Sequence, residues 1–258
     1  MRENYLVDTH SHLYSEEFSA DIAEILRRAE TEGVKKIFLP AIDSNSANSM
    51  FQLEKTYPDQ CFAMMGLHPC YVKENYQQEL DFVRNWLETR KFAAVGEIGL
   101  DYYWDRNFDK EQMDAFSYQV DLAMKHDLPI VIHSRDSMHD TIAMIKSKQN
   151  GKLRGIFHCF SGTYEQALEI IELGFLLGIG GVLTYKKSGL SEVVEKLPMD
   201  ALVLETDAPY LTPVPFRGKR NESSYLKYIV SRLAEVKRLP EEEIARITTA
   251  NAEKLFNW

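Results

Sequence analysis

Eight short, mostly apolar runs recur along this chain, and between them the apolar residues fall at helical spacing. The runs lie at 5–9, 36–40, 61–67, 93–98, 129–133, 155–158, 175–179 and 201–205. Most are rich in Val, Ile or Leu without strict alternation, which is the pattern of strands buried on both faces. Phe18, Ile22, Ile25, Leu26 and Ala29 mark a helical stripe after the first run. Met113, Phe116, Val120 and Ala123 do so before the fifth, and Ala167, Leu168 and Ile171 before the seventh. Gly33, Pro58 and Gly174 each follow such a stretch and act as stops.

Eight β/α units in about 250 residues predict an α/β protein with one domain over residues 1–258, a TIM (β/α)8 barrel. No Gly-, Ser- or Pro-rich linker divides the chain, and no short repeat or low-complexity segment appears. An open doubly wound sheet would need a glycine-rich phosphate loop after its first strand, and Asp8-Thr9-His10-Ser11-His12 is not one. With 39 acidic and 30 basic side chains the formal charge is −9, which argues against a long footprint on duplex nucleic acid. Cys61, Cys70 and Cys159 are few, odd in number and irregularly spaced, as expected of reduced thiols. The opening residues lack a signal-peptide pattern. No apolar run approaches the ~18 residues that span a bilayer. These features predict a soluble cytoplasmic protein with no membrane contact and no evident protein partner.

The polar residues that interrupt the runs gather at their carboxyl ends. His10 and His12 follow the first run, His68 the third, Glu97 closes the fourth, His133 the fifth and His158 the sixth, while Asp207 follows the eighth. That end of a barrel is where TIM-barrel sites are built. Only His126 and His139 fall elsewhere. Strand alternation puts residues two apart on one face. It therefore predicts that Asp8 points with His10 and His12, Val95 with Glu97, Val131 with His133, Ile156 with His158, and Glu205 with Asp207. Each feature alone has a bland explanation: a satisfied core histidine, or half of a buried ion pair. Five strand ends supplying ligand-type groups to one rim do not. Imidazole and carboxylate suit divalent ions, and six ligands exceed the three usual at one catalytic zinc. Two divalent ions (zinc, manganese, magnesium or nickel) bridged by Glu97 would use His10, His12, Glu97, His133, His158 and Asp207.

Val-Asp-Thr-His-Ser-His-Leu (7–13), Gly-Leu-His-Pro (66–69), Gly-Glu-Ile-Gly-Leu-Asp-Tyr (96–102), Ile-His-Ser-Arg (132–135), His-Cys-Phe-Ser-Gly (158–162) and Glu-Thr-Asp-Ala-Pro-Tyr-Leu (205–211) occur in this order over essentially the whole chain. Together they resemble the TatD-related deoxyribonucleases, within the amidohydrolase-like metal-dependent hydrolases. The resemblance implies a metal-dependent DNase, often an exonuclease, with metal ligands at the same six positions. The family often continues Arg-Gly-Lys-Arg-Asn-Glu with proline, whereas here Ser223-Ser224 follow Glu222.

The expected activity is hydrolysis of DNA phosphodiesters at single-stranded ends by water activated by two metals, with Glu97 and Asp207 catalytic. Expected substrate contacts are His68, Arg135, and the basic cluster Arg217, Lys219 and Arg220. Tyr102, Tyr103 and Trp104 are candidates for stacking a base. Asp8 and Glu205 are expected to orient liganding histidines. Parity turns Cys159 toward the helices as a packing residue, and Cys70 is a weaker ligand candidate. The rivals are an amide or ester hydrolase (deacylase) on the same frame and a metal-stabilised binding module without turnover.

Overall fold

A computed structural model describes residues 5–257 of the protein. Residues 1–4 and 258, which belong to the expected 1–258 domain and include the opening read above for a signal peptide, lie outside the described residues. Eight parallel strands form in the expected order: β1 (Leu6–Asp8), β2 (Val34–Leu39), β3 (Cys61–Ala63), β4 (Val95–Asp101), β5 (Ile130–Arg135), β6 (Gly155–Phe157), β7 (Phe175–Ile179) and β8 (Leu202–Leu204). The helices are α1 (Ile22–Thr31), α2 (Ser44–Thr56), α3 (Tyr76–Thr89), α4 (Asp109–His126), α5 (Met138–Lys148), α6 (Tyr164–Glu172), α7 (Leu190–Lys196), α8 (Leu226–Lys237) and α9 (Glu241–Phe256). Local chemistry sets several helix starts. Thr163 and Gln166 close a reciprocal capping box on α6, and Asp43 with Ser46 does the same on α2.

Strands β1 to β3 pair in order, as do β4 to β8. Residues beyond the strand ends join the two sets. Met65 bridges Val95 between β3 and β4, and Ser11 bridges Ala208 between β8 and β1. Further ladder bonds run from Thr9 N–H to the Leu204 carbonyl and from Asp207 N–H to the His10 carbonyl. Every strand thus has two neighbours, and the sheet closes into the barrel the sequence predicts.

Two buried layers follow. Residues in or next to every strand pack into an inner cluster, with Val7, Phe38, Val131, Ile156 and Val203 among them. Side chains drawn from all round a closed sheet that gather in one cluster, apart from the helix-facing residues, lie in its lumen. Ala252, Leu255 and Phe256 of α9 pack onto this cluster, and Phe256 stacks on Phe38 at 3.9 Å. The larger cluster, with Ile37, Val95, Ile98, Phe116 and Leu177, lies between the strands and the surrounding helices. No helix among the described residues is long and apolar enough to cross a membrane.

The observed layers correct the predicted strand parity at two places. Val131 and Ile156 are luminal, as are His133 and His158 two residues on. Val95 instead packs in the outer layer, and a register shift between Val95 and Ile98 lets Glu97 turn inward. At β1 the luminal residue is Val7, so Asp8 faces away from the lumen. Regular strand ends at Asp8, which frees His10 and His12 to reach the centre. Strand β4 also runs three residues past the predicted Ile98. Gly99, at φ +142°, lies where a Cβ would fall 2.0 Å from the His133 carbonyl, so only glycine lets the pairing continue to Asp101.

Candidate metal centre

Glu97 lies at the middle of the carboxyl end of the barrel, buried, with ring nitrogens converging on both its oxygens. Oε2 is 3.0 Å from His10 Nε2 and 3.5 Å from His12 Nε2. Oε1 is 2.9 Å from His133 Nδ1, 3.2 Å from His158 Nε2 and 3.3 Å from His68 Nε2. Asp207 Oδ1 stands 3.7 Å from His10 Nε2 and 3.6 Å from His12 Nε2. Asp207 lies three residues past the end of β8, at φ +56°, a region aspartate enters more readily than most residues. The structure therefore gathers all six predicted ligand residues, drawn from the ends of five strands. Three donor sets fall within 4.8 Å: His10, His12 and Glu97; His10, His158 and Asp207; and His68, Glu97 and His133.

For four of the five rings, hydrogen bonds on the far side decide which nitrogen faces the centre. Tyr14 gives its hydroxyl proton to the Pro40 carbonyl, so His12 Nδ1 must be the donor to Tyr14 Oη at 3.0 Å, leaving Nε2 bare. His158 Nδ1 faces Glu205 Oε1 at 3.2 Å, which leaves its Nε2 bare as well. His133 Nε2 faces Asp101 Oδ2 at 2.8 Å, so Nδ1 is the nitrogen turned to Glu97. His68 is the reverse case. Its Nδ1 accepts the Cys70 N–H at 3.1 Å, so the neutral ring carries its proton on Nε2 and donates toward Glu97. His68 is thus built as a hydrogen-bond donor, unlike the other three.

Three bare imidazole nitrogens therefore oppose a carboxylate, acceptor against acceptor. Only cations or extra protons settle such an arrangement. Glu97 Oε2 is buried yet accepts no hydrogen bond of acceptable geometry, and His10 Nδ1 is likewise buried and unpartnered. This donor set fits divalent ions of the kind imidazole and carboxylate bind. The electrostatics agree. Burial alone would raise the Glu97 carboxyl, but His68, His10 and His158 hold it well below the usual range. Burial alone would lower His158, but Glu97 and Glu205 raise it well above the ordinary value. Burial drives His10 far down and pushes Asp207 up to about 6.

The supporting residues divide into expected and unexpected ones. Glu205 does contact a ligand-type histidine, and its Oε1 also accepts the Cys159 N–H at 2.5 Å. Gly178 leaves the room, since a Cβ there would fall 2.2 Å from Glu205 Oε2. Asp8 does not orient an imidazole. It accepts from the Thr206 N–H and hydroxyl at 2.9 and 2.6 Å and from the Ser223 hydroxyl at 2.7 Å, tying β1 to the segment after β8 because it points out of the lumen. Burial pushes its carboxyl up to about 7. The departure at 223–224 thus supplies a hydroxyl to this anchor.

Two residues escaped the sequence reading. Tyr14 fixes the His12 ring, and Asp101 holds His133 while its Oδ1 accepts the N–H groups of Tyr103 and Trp104 at 2.9 and 3.2 Å. Buried Gln112 clamps the Asp101 backbone from both sides. An i, i+4 parity check from Glu97 to Asp101 would have flagged the second. Cys70 joins none of the donor sets; its N–H serves His68, and burial pushes its thiol up to about 12. Cys159 is half-buried, and it is its backbone that serves the site.

On the rim, the Arg135 guanidinium lies 3.8 Å from the Tyr103 ring centre and 5.3 Å from that of Trp104. Both rings are exposed, whereas Tyr102 packs partly inward with its hydroxyl on Asp140. Arg217 covers the Tyr185 ring at 4.3 Å, and Lys219 sits 5.7 Å from that of Phe216. Arg220 is set apart from them. Its fork is already bound to Asp21, at 3.0 and 2.5 Å, which leaves less of it for a substrate phosphate.

A family model described as TatD related DNase matches residues 7–257. A Bacillus subtilis (strain 168) protein described as an uncharacterized metal-dependent hydrolase, YabD, is 40% identical over 252 residues, covering 97% of this chain and 98% of its own. The crystal structure of YjjV, a TatD homologue from Escherichia coli K12, superposes with a TM-score of 0.93 at 34% identity, covering 98% of both chains. A hydrolase of the TatD family from Entamoeba histolytica superposes with a TM-score of 0.86 and covers 99% of both chains; at 24% identity it speaks for the fold alone. This chain belongs to the TatD-related DNase family of metal-dependent hydrolases.

Proposed function

We propose that this hydrolase cleaves DNA phosphodiesters, entering at single-stranded or frayed ends, and that His10, His12, Glu97, His133, His158 and Asp207 would hold two divalent ions for that chemistry. The observation that carries the reading is the division of donors around Glu97. His10 and His12 stand nearest Oε2 with Asp207 beside them, and His133 and His158 nearest Oε1, with His158 also in one donor set with His10 and Asp207. Bound there, zinc, manganese, magnesium or nickel would supply an acidified water and a counter-charge for phosphoryl oxygens. The chain's own residues set the rest. Tyr14, Glu205 and Asp101 lock three rings with one nitrogen facing inward. His68 donates to Glu97 and keeps its carboxylate fixed. Asp207, whose carboxylate stands beside His10 and His12 at the same centre, is placed to receive a proton from the attacking water.

Substrate preference follows from the rim. Arg135 lies on Tyr103 and Trp104, an exposed shelf on which an unstacked base can sit beside a guanidinium able to meet a phosphate. Arg217 and Lys219 add positive charge on the β8 side. A net charge of −9 offers little general attraction for duplex DNA. The three free thiols support a cytoplasmic enzyme.

The test compares end-labelled single-stranded, blunt-duplex and covalently closed circular DNA with acyl substrates at matched ionic strength. Single strands are expected to be cut fastest and closed circles to resist. A chelator should abolish cutting, and added Mn²⁺, Mg²⁺ or Zn²⁺ should restore it. Rapid cutting of closed circles overturns entry at ends. Acyl turnover without DNA cleavage overturns the phosphodiesterase reading.

A further inference from the structure

Of the large apolar side chains left exposed among the described residues, all but Leu168 lie on the loops that follow β3, β4 and β8. Apolar surface gathered on one rim in this way marks a binding surface. The Tyr103–Trp104 shelf accounts for the β4 loop. It does not account for Tyr71, which is 45% exposed, or Tyr210, which is 53% exposed. Both rings stand edge-on to histidines of the centre, Tyr71 6.0 Å from His68 and Tyr210 6.1 Å from His12. Neither hydroxyl makes a side-chain hydrogen bond to another described residue. A tyrosine needed only for packing would bury its ring. These two leave ring and hydroxyl open directly beside the Glu97 cluster.

Position in the barrel gives the pair its meaning. In a closed eight-stranded sheet, β8 and β4 are four strands apart and face each other across the axis. Tyr210 therefore lies across the Glu97 cluster from the Tyr103–Arg135–Trp104 shelf. Arg217, exposed on the same β8 loop, adds a cation on that side, as Arg135 does on the other. We infer that Tyr210 forms a second nucleobase subsite, so that the scissile phosphodiester is held between two bases stacked on opposite sides of the centre. The ligand class is a single-stranded oligonucleotide with a base on each side of the cleaved bond. Stacking on a ring face accepts any base, so the subsite reads strand form rather than sequence. A duplex cannot use both subsites without unpairing.

This inference rests on the phosphodiesterase reading, and the experiment separates the two. Hydrolysis of a short single strand is compared with that of methyl p-nitrophenyl phosphate, a diester with no base, for the wild type, Tyr210→Leu and Tyr71→Leu. Binding of the same strand to chelated protein is read by fluorescence anisotropy. Tyr210→Leu is expected to lose roughly 10-fold more kcat/KM on the oligonucleotide than on the small diester. An abasic residue on one side of the scissile bond should cost the wild type as much, and should cost Tyr210→Leu little more. Equal losses on both substrates, or additive losses from variant and abasic site, overturn the subsite. Strand binding that weakens in Tyr210→Leu while the wild type cleaves no DNA overturns the DNase reading and leaves the subsite standing.

Discussion

His133 has a carboxylate at each ring nitrogen, and the two serve different ends. Glu97 faces the nitrogen offered to the centre, while Asp101 sets which nitrogen that is and also anchors the backbone of Tyr103 and Trp104. In Asp101→Asn one oxygen becomes an NH2 group. Either it meets His133 Nε2–H or it meets two backbone N–H groups, donor against donor in both cases. We expect divalent-metal affinity to fall about 10- to 100-fold, with activity falling in step, and Asp101→Ala to be no better. Calorimetric metal titration beside activity checks this; unchanged affinity in both variants shows that Asp101 does not position the ring. Sequence pattern revealed the inward-facing donors because strand ends and His-X-His spacing are local signals. It missed Asp101 because Gly99 looks like a strand stop, and only the His133 carbonyl across the ladder shows why glycine is there. Tyr14 was silent because its bond to His12 depends on where Pro40 comes to lie.

At the level of elements, the segment after β8 is stitched to the start of the chain. Arg28 of α1 makes a two-pronged ion pair with Glu222 at 2.8 and 2.7 Å, the Ser224 hydroxyl donates to the same carboxylate at 2.5 Å, and Ser223 reaches Asp8. Burial would raise the Glu222 carboxyl, but Arg28 and Ser224 hold it below its ordinary value. Folding therefore favours its ionised form. That stabilisation is full above the ordinary glutamate range and is lost as pH falls through the lower folded-state value. Because Arg28 is part-exposed, we expect Glu222→Gln to cost about 1–2 kcal/mol at pH 7. The gap in urea unfolding should narrow as pH is lowered below the ordinary glutamate range; a gap independent of pH means the ion pair contributes nothing. The number and order of the strands were legible from the apolar runs, whereas α9, which packs onto the inner cluster, was not. The luminal register of β1 and β4 was not, because alternation assumes a regular strand. β1 stops at Asp8 and β4 shifts register beside Glu97, so the site sits where the rule fails.

Across the whole molecule, the centre draws on both stretches of the sheet, with β1 in one and β4, β5, β6 and β8 in the other. Its inward nitrogens oppose a carboxylate, an arrangement that extra protons or divalent ions settle, and bound ions would take the place of those protons. Ions that bind the assembled donors and not the unfolded chain stabilise by mass action, about 2.7 kcal/mol when free metal is 100 times its dissociation constant. For a chain of this size each kcal/mol moves Tm by about 2–4 °C, so saturating metal should raise Tm by about 5–10 °C over the chelated protein. Glu97→Gln should lose most of that rise, because an uncharged amide cannot balance cations on both of its sides, and its activity should drop by more than about 100-fold. Calorimetric scans of wild type and variant, chelated and with Zn²⁺ or Mn²⁺ added, make the comparison. A Tm indifferent to metal in the wild type rules out assembly of these donors around an ion. An undiminished rise in Glu97→Gln with near wild-type activity places the ions somewhere other than across Glu97.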